Sequence, residues 1–163
     1  IGWCDWSSDV CSSDLFNFVP GLEYPVKSYG ITWNKGAFDI LAKQYRRIMD
    51  RHEVPLYVGE FGVQYRDGLY GELNWVKDML YIIDKYNMSW TYWTYKTVAN
   101  NIFPDGIYRY VDNPLWVHRQ GPVSGWETYH TLWQKERHGM ISSWKTENFK
   151  LNTKLCSILK ERF

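Results

Sequence analysis

No apolar run in this sequence approaches the ~20 residues that a helix needs to cross a membrane, so no membrane partner is expected. Lys and Arg are scattered and nowhere form the dense basic face of a nucleic-acid-binding protein; no nucleic-acid partner is expected either. Cysteine is scarce, with three in 163 residues, and two of them, Cys4 and Cys11, fall in the first fifteen. That leaves Cys156, spaced with Leu155, Ile158 and Leu159 as part of an apolar helical face, which excludes a disulfide framework and reads as a core position. His118, His130 and His138 are not at spacings that would let them share a metal, and no metal or cofactor is expected.

The first fifteen residues also lack Lys, Arg and any helical or strand periodicity. Within them "DWSSDVCSSDL", Asp5 to Leu15, repeats Ser-Ser-Asp and resembles the in-frame translation of a sequencing-library adapter, with Ile1 to Cys4 as index bases. Residues 1–15 are therefore read as a non-native segment and 16–163 as the domain proper. Setting aside Asp5, Asp9 and Asp14 leaves 15 acids against 19 bases, a net charge of +4 over 148 residues in place of +1 for the whole chain.

What is abundant is aromatic side chain. Ten Trp and thirteen Tyr within a composition 45% hydrophobic are ample for a globular core, and flat rings both fill cores and stack on sugars or bases. Residues 16–35 read as loop, with Pro20, Gly21, Pro25 and Gly30. "GAFDILAKQYRRIMDRH" then places Phe38, Leu41, Tyr45, Ile48 and Met49 on one helical face. "LYVGEF" is a short apolar strand without alternation, as expected for a parallel strand covered on both sides. The pattern repeats: "GELNWVKDMLYIIDKY" carries Leu73, Val76, Leu80 and Ile83 inward, and "MSWTYWTYKT" is a β-branched and aromatic strand. A loop is expected over Val98–Ser124, then helices over Trp126–Arg137 and Asn152–Phe163, the last with Leu155, Ile158 and Leu159 inward.

Helix, strand, helix, strand with short connections predicts parallel β/α units. Two parallel strands leave edges unpaired and no antiparallel partners are evident, so the expected fold class is α/β and the chain reads as the C-terminal part of a larger protein. In such folds functional side chains gather at the C-terminal ends of parallel strands. "VPLYVGEFGV" puts Glu60 at one such end, while Trp93 and Tyr95 hold the corresponding place on the next strand. A carboxylate beside aromatic faces suits a sugar, the ring stacking on its C–H surface and the carboxylate working at the anomeric carbon.

The ordered set "PLYVGEFGV", "WTYWTYKT", "FPDGIYRY", "GPVSGWETY" and "SWKTENF" resembles the last third to half of a glycoside hydrolase family 5 enzyme, the cellulase family. The resemblance implies a C-terminal fragment of a (β/α)8 TIM barrel, strands 7 and 8 with flanking helices, spanning 16–163 with the N-terminal part missing. It implies a retaining β-glycosidase acting on β-linked polysaccharide or oligosaccharide, with Glu60 as nucleophile, Trp93 as the platform under the sugar, no cofactor, and a monomer when full length. Tyr95 and Lys96, just past the strand, are within reach of a subsite and read as further substrate-binding residues. The family's acid/base Glu lies in an Asn-Glu-Pro motif, and no Asn-Glu dipeptide occurs in this chain. Half of the carboxylate pair is thus expected to be absent, and the isolated chain is expected to be inactive. Trp90 and Tyr92 alternate to the opposite face and read as packing residues, and Asp105 reads as a turn residue. Two other readings stand beside this one: a non-catalytic carbohydrate-binding protein with the same aromatic surface, and another retaining barrel glycosidase of related design. A self-contained inverting enzyme pairing Glu60 with Asp105 or Glu127 would need the two carboxylates roughly 6.5–9.5 Å apart across one cleft.

Overall fold

A computed structural model describes residues 23–28, 30–63, 70–97, 106–110 and 129–161. The described chain is mixed α/β. A hairpin of β1 (Val26–Ser28) and β2 (Ile31–Trp33) leads into α1 (Lys35–His52), β3 (Tyr57–Phe61), α2 (Glu72–Lys85) and β4 (Ser89–Tyr92). After these come β5 (Lys96–Thr97), β6 (Tyr108–Tyr110), α3 (Tyr129–Ser143), a 3-10 turn at Thr146–Asn148, β7 (Phe149–Leu151) and α4 (Thr153–Lys160).

The central unit follows the predicted helix–strand–helix–strand order, and β3 and β4 pair in parallel. Asn34 caps α1, its side-chain oxygen accepting from the Ala37 N–H at 3.1 Å. The buried stripe of α1 runs through Phe38, Ala42 and Met49, with Leu41 and Tyr45 half-buried. Ile48, expected on this face, is 49% exposed. It lies roughly 100° around the axis from Met49, and the small Ala42 lets the helix seat on its own side of the stripe instead. In α2 the expected Val76, Leu80 and Ile83 are buried, and so are Trp75, Met79 and Ile82. That burial extends beyond one stripe because α2 packs against both α1 and α4. Leu155, Ile158 and Leu159 of α4 join the same core as expected, while Cys156 is only half-buried.

Strand β3 departs from its expected reading. Tyr57 is 52% exposed and Gly59 is exposed, whereas Val58 and Phe61 are buried, so one face is open among the described residues. Val58 pairs with Trp90 and Phe61 with Tyr92: three steps along β3 against two along β4. This irregularity carries one extra residue, and it lets two side chains three apart face the same core, which an unbroken strand forbids. The missing alternation therefore comes from the irregularity rather than from cover on both faces.

Antiparallel pairing, unexpected from the sequence, occurs twice. The hairpin pairs Val26 with Trp33 and Ser28 with Ile31 inside a segment read as loop; its turn includes Gly30 at φ 77°, a conformation suited to glycine. Strand β6 pairs in parallel with β5 and antiparallel with β7, and it lies inside the segment expected to be a loop. Strands of three residues carry too little pattern to rise above Pro- and Gly-rich surroundings. The strand expected over "MSWTYWTYKT" is split into β4 and β5. The helix expected to stop at Arg137 continues through Gly139 to Ser143. Among the described residues the strands make two two-stranded sheets and one three-stranded sheet and do not close into a barrel.

Helices α1 and α2 lie side by side and run in the same direction. The Lys35 ammonium sits 3.3 Å from the centroid of the Tyr81 ring, and Lys85 meets Asp39 at 2.5 Å. Both pairs are 46 residues apart, and such a constant separation belongs to helices of like direction. Tyr81 is nine residues past the start of α2, so α2 extends about 13 Å beyond the first turn of α1. Asp39 also accepts from the Tyr86 hydroxyl at 2.9 Å and pairs with Lys43 at 3.2 Å. The hydrogen bond from Lys85, above all, holds the Asp39 carboxyl down at about 2.

Candidate functional site

Glu60 is the penultimate residue of β3, and its backbone lies in the irregular step between Val58 and Phe61. The neighbouring Phe61 is buried, its ring 5.4 Å from Trp90, 5.4 Å from Tyr92 and 6.3 Å from Trp75. Trp90 and Tyr92 are thus packing residues, as alternation predicts. The Phe61 carbonyl accepts from the Trp93 N–H at 2.9 Å. This bond fixes the backbone end of β3 beside the end of β4. Lower in the pair the Ser89 N–H donates to the Leu56 carbonyl at 3.0 Å, and Tyr57 and Thr91 share a hydroxyl–hydroxyl hydrogen bond.

Trp93 follows β4 directly and is 42% exposed, and the Trp93–Thr94 peptide is cis. Tyr95 is 55% exposed, with its ring edge-on to Tyr108 at 5.2 Å. The Thr94 and Tyr95 carbonyls accept from the Ile107 and Tyr108 N–H groups, both at 2.9 Å, so this segment is held by backbone bonds to the start of β6. Lys96 begins β5. Its ammonium donates to the Trp144 carbonyl at 2.6 Å and lies 4.8 Å from the Phe149 ring centroid and 5.7 Å from that of Tyr95. The lysine thereby ties the Tyr95 segment to the end of α3.

The sequence does not reveal a second feature of this end of the fold. A cleft of about 550 Å³ lies where α2 overhangs α1, bounded by Tyr24, Pro25, Asn34, Asn74, Lys77 and Asp78 among others. The Tyr24 hydroxyl donates to Asp78 Oδ2 at 2.7 Å and its N–H to the Tyr70 carbonyl at 2.8 Å. Burial first, and then the bond to Asp78, push the Tyr24 phenol well above its ordinary value, so it stays a donor. Gly71 caps α2 at φ 75°, and a Cβ there would lie 2.5 Å from the Tyr24 carbonyl oxygen. In the sequence, the spacing of Asn74, Lys77 and Asp78 on one helical face is the one trace of this feature.

Among the described residues no group of three or more His, Cys, Asp or Glu could hold a metal. Asp105, His118, Trp126 and Glu127 lie outside the described residues.

No protein-family model matches the chain, and no curated protein matches it. Among solved structures, one described as an endoglucanase is similar at 22% identity with a TM-score of 0.39, over 51% of this chain and 25% of that one. The match spans a quarter of that protein's length and is too slight to define a fold or a site.

Proposed function

We propose that the chain supplies the nucleophile half of a retaining β-glycosidase of the glycoside hydrolase family 5 type, residues 16–163 being part of a (β/α)8 barrel in which β3 and β4 are the seventh and eighth strands. Residues 1–15 stand outside that domain. The observation that carries the reading is the juxtaposition of Glu60, at the C-terminal end of a parallel strand, with the exposed Trp93 at the adjoining strand end, joined through the Trp93 N–H to Phe61 carbonyl bond.

The chemistry assigns the parts. In retaining hydrolysis an ionised carboxylate attacks the anomeric carbon as the bond to the leaving oxygen breaks, and a second carboxyl roughly 5 Å away gives that oxygen its proton. Glu60 is the attacking group in this reading. Trp93 offers its face to the C–H surface of the sugar, holding the anomeric carbon over the strand end. Tyr95 extends the aromatic surface, and Lys96, engaged with Trp144, keeps Tyr95 in place. The proton donor comes from outside this sequence, since no Asn-Glu dipeptide occurs in it. The substrate is a β-linked glucan or mannan.

A substrate with a leaving group that needs no proton isolates the role given to Glu60. Incubation with a 2-deoxy-2-fluoro-β-glycoside of dinitrophenol is expected to leave a glycosyl ester on the peptide containing Glu60, with release of dinitrophenolate, while unactivated polysaccharide is not turned over. Intact-mass and peptide mass spectrometry read the adduct. A label on another residue, or equal labelling of Glu60→Gln, sinks the assignment, and robust hydrolysis of polysaccharide by this chain sinks the claim that it holds half of the pair.

A further inference from the structure

The geometry points to a second saccharide-binding site in the cleft where α2 overhangs α1, taking a neutral sugar unit of the same β-linked polysaccharide away from the Glu60–Trp93 end; this rests on the glycosidase reading. Chain direction places the two sites at one end of the fold. Helix α1 leads into β3 through a four-residue connection and runs back along it, and α2 leaves from the end of β3. The N-terminal ends of both helices therefore lie at the end of β3 that carries Glu60, and the cleft is bounded by Asn34, just before α1, and by Asn74, Lys77 and Asp78 in the first two turns of α2.

The cleft's volume of about 550 Å³ lies within the ~300–1,000 Å³ of ordinary small-molecule sites. Its lining suits vicinal hydroxyls, each of which donates and accepts. Asn74, Lys77 and Asp78 stand at i, i+3 and i+4 on α2, so an amide, an ammonium and a carboxylate share one helical face. The side-chain oxygen of Asn34 is engaged by the Ala37 N–H, which leaves its NH2 group to donate. Pro25 adds an apolar edge for the C–H side of a sugar ring.

The walls are set in advance. Tyr24 is only 7% exposed, held through its hydroxyl to Asp78 and its N–H to Tyr70, with its carbonyl against Gly71. A preformed wall lowers the ordering cost of binding. Of the two lysines that bound the cleft, Lys77 is offset by Asp78 and Lys35 keeps its charge against the face of Tyr81, a cation–π contact, so the assignment of a neutral sugar rests on the mixed donors and acceptors of the lining. Such a site would retain a long chain near the strand ends, favouring polymer over short substrates.

The test is a two-dimensional NMR titration of this chain with β-1,4-linked glucohexaose and mannohexaose. Shifts are expected at residues 24, 34–36 and 74–78 with at least one hexaose, persisting in Trp93→Ala and lost in Asn74→Ala/Lys77→Ala with a fivefold or greater loss of affinity. Both alanine sites are exposed, and an unchanged amide spectrum elsewhere shows that the double variant keeps its fold. Silence at those residues with both hexaoses, or wild-type affinity in the double variant, overturns the inference. A uronate-containing hexaose that binds the cleft more tightly than its neutral counterpart overturns the assignment of a neutral ligand. Labelling of Glu60 by the fluoroglycoside separates the two claims: a labelled Glu60 with a silent cleft removes this inference alone, and a binding cleft with Glu60 unlabelled removes the nucleophile alone.

Discussion

Replacing Gly71 by alanine should destabilise the fold more than the same change at Gly30, and the difference measures one contact. Both glycines have left-handed backbone, φ 75° and 77°, which costs an alanine about 1–2 kcal/mol at either position. A Cβ on Gly30 meets nothing within 4 Å, so Gly30→Ala should lose only that amount. A Cβ on Gly71 lies 2.5 Å from the Tyr24 carbonyl oxygen and 3.3 Å from both the Tyr24 carbonyl carbon and its Cβ. Tyr24 has little freedom to step aside, being bonded to Tyr70 through its N–H and to Asp78 through its hydroxyl. Overpacking of this kind adds about 1–3 kcal/mol, so Gly71→Ala should lose about 2–5 kcal/mol in all. Urea unfolding followed by far-UV circular dichroism would show this as a lower midpoint at unchanged slope. Equal losses in the two variants would refute the reasoning, because the crowding at Tyr24 would then contribute nothing.

Three further outcomes are expected. Phe61→Ala, which removes a buried ring in contact with Trp75, Trp90 and Tyr92, should lose about 3–5 kcal/mol of stability in the same assay; a loss below about 1 kcal/mol would contradict the packing described. Asn34→Ala should lose about 0.5–2 kcal/mol by leaving the Ala37 N–H without its cap, and Asn34→Ser should recover most of it. Because the Asp39 carboxyl is depressed to about 2 from 3.8, its stabilising contribution is present above the ordinary carboxylate range and is lost as the pH falls toward 2. Lys85, raised by the same hydrogen bond, contributes below its ordinary 10.5 and loses that contribution as the pH rises through its folded value. Carboxyl NMR should find the Asp39 titration moving back toward 3.8 in Lys85→Met, and an unmoved midpoint would show that Lys85 is not the cause.

The sequence carried the repeating α/β order well, because α1 and α2 are long enough for their apolar faces to be read and "LYVGEF" and "SWTY" are dense in strand formers. It carried the hairpin and β6 poorly, since three-residue strands fall below the length at which pattern separates from turn chemistry. Ile48 shows a second limit: periodicity identifies a stripe, and the seating of its neighbours decides which flank of the stripe is covered. The strand ends that carry Glu60 and Trp93 could be located from the helix–strand order, and the structure adds the backbone bond that joins them. The cleft was not legible, since it gathers residues near 24, 34 and 74 and exists because α2 is displaced along α1. That displacement shows in pairs such as Asp39 with Lys85, whose separation in sequence gives no hint that they meet.

The extra residue in β3 has a consequence for how the chain tolerates changes of length. Between Val58 and Phe61 the strand counts three where its partner counts two, so Gly59 and Glu60 share the span opposite a single position of β4. Deleting Gly59 would leave a regular ladder with Val58 and Phe61 both still in register, and many alignments would accept it as a harmless gap. It would also remove the change of parity by which Val58 and Phe61, three apart, both come to be buried, since side-chain direction in a strand is fixed by parity. A one-residue indel here acts as a toggle, whereas the same change in the connection between α1 and β3 leaves the parity of the strand itself untouched. Length variation among related chains should therefore be sparser at 59–60 than in the connection ahead of β3, a pattern that reads the strand by counting residues rather than by naming them.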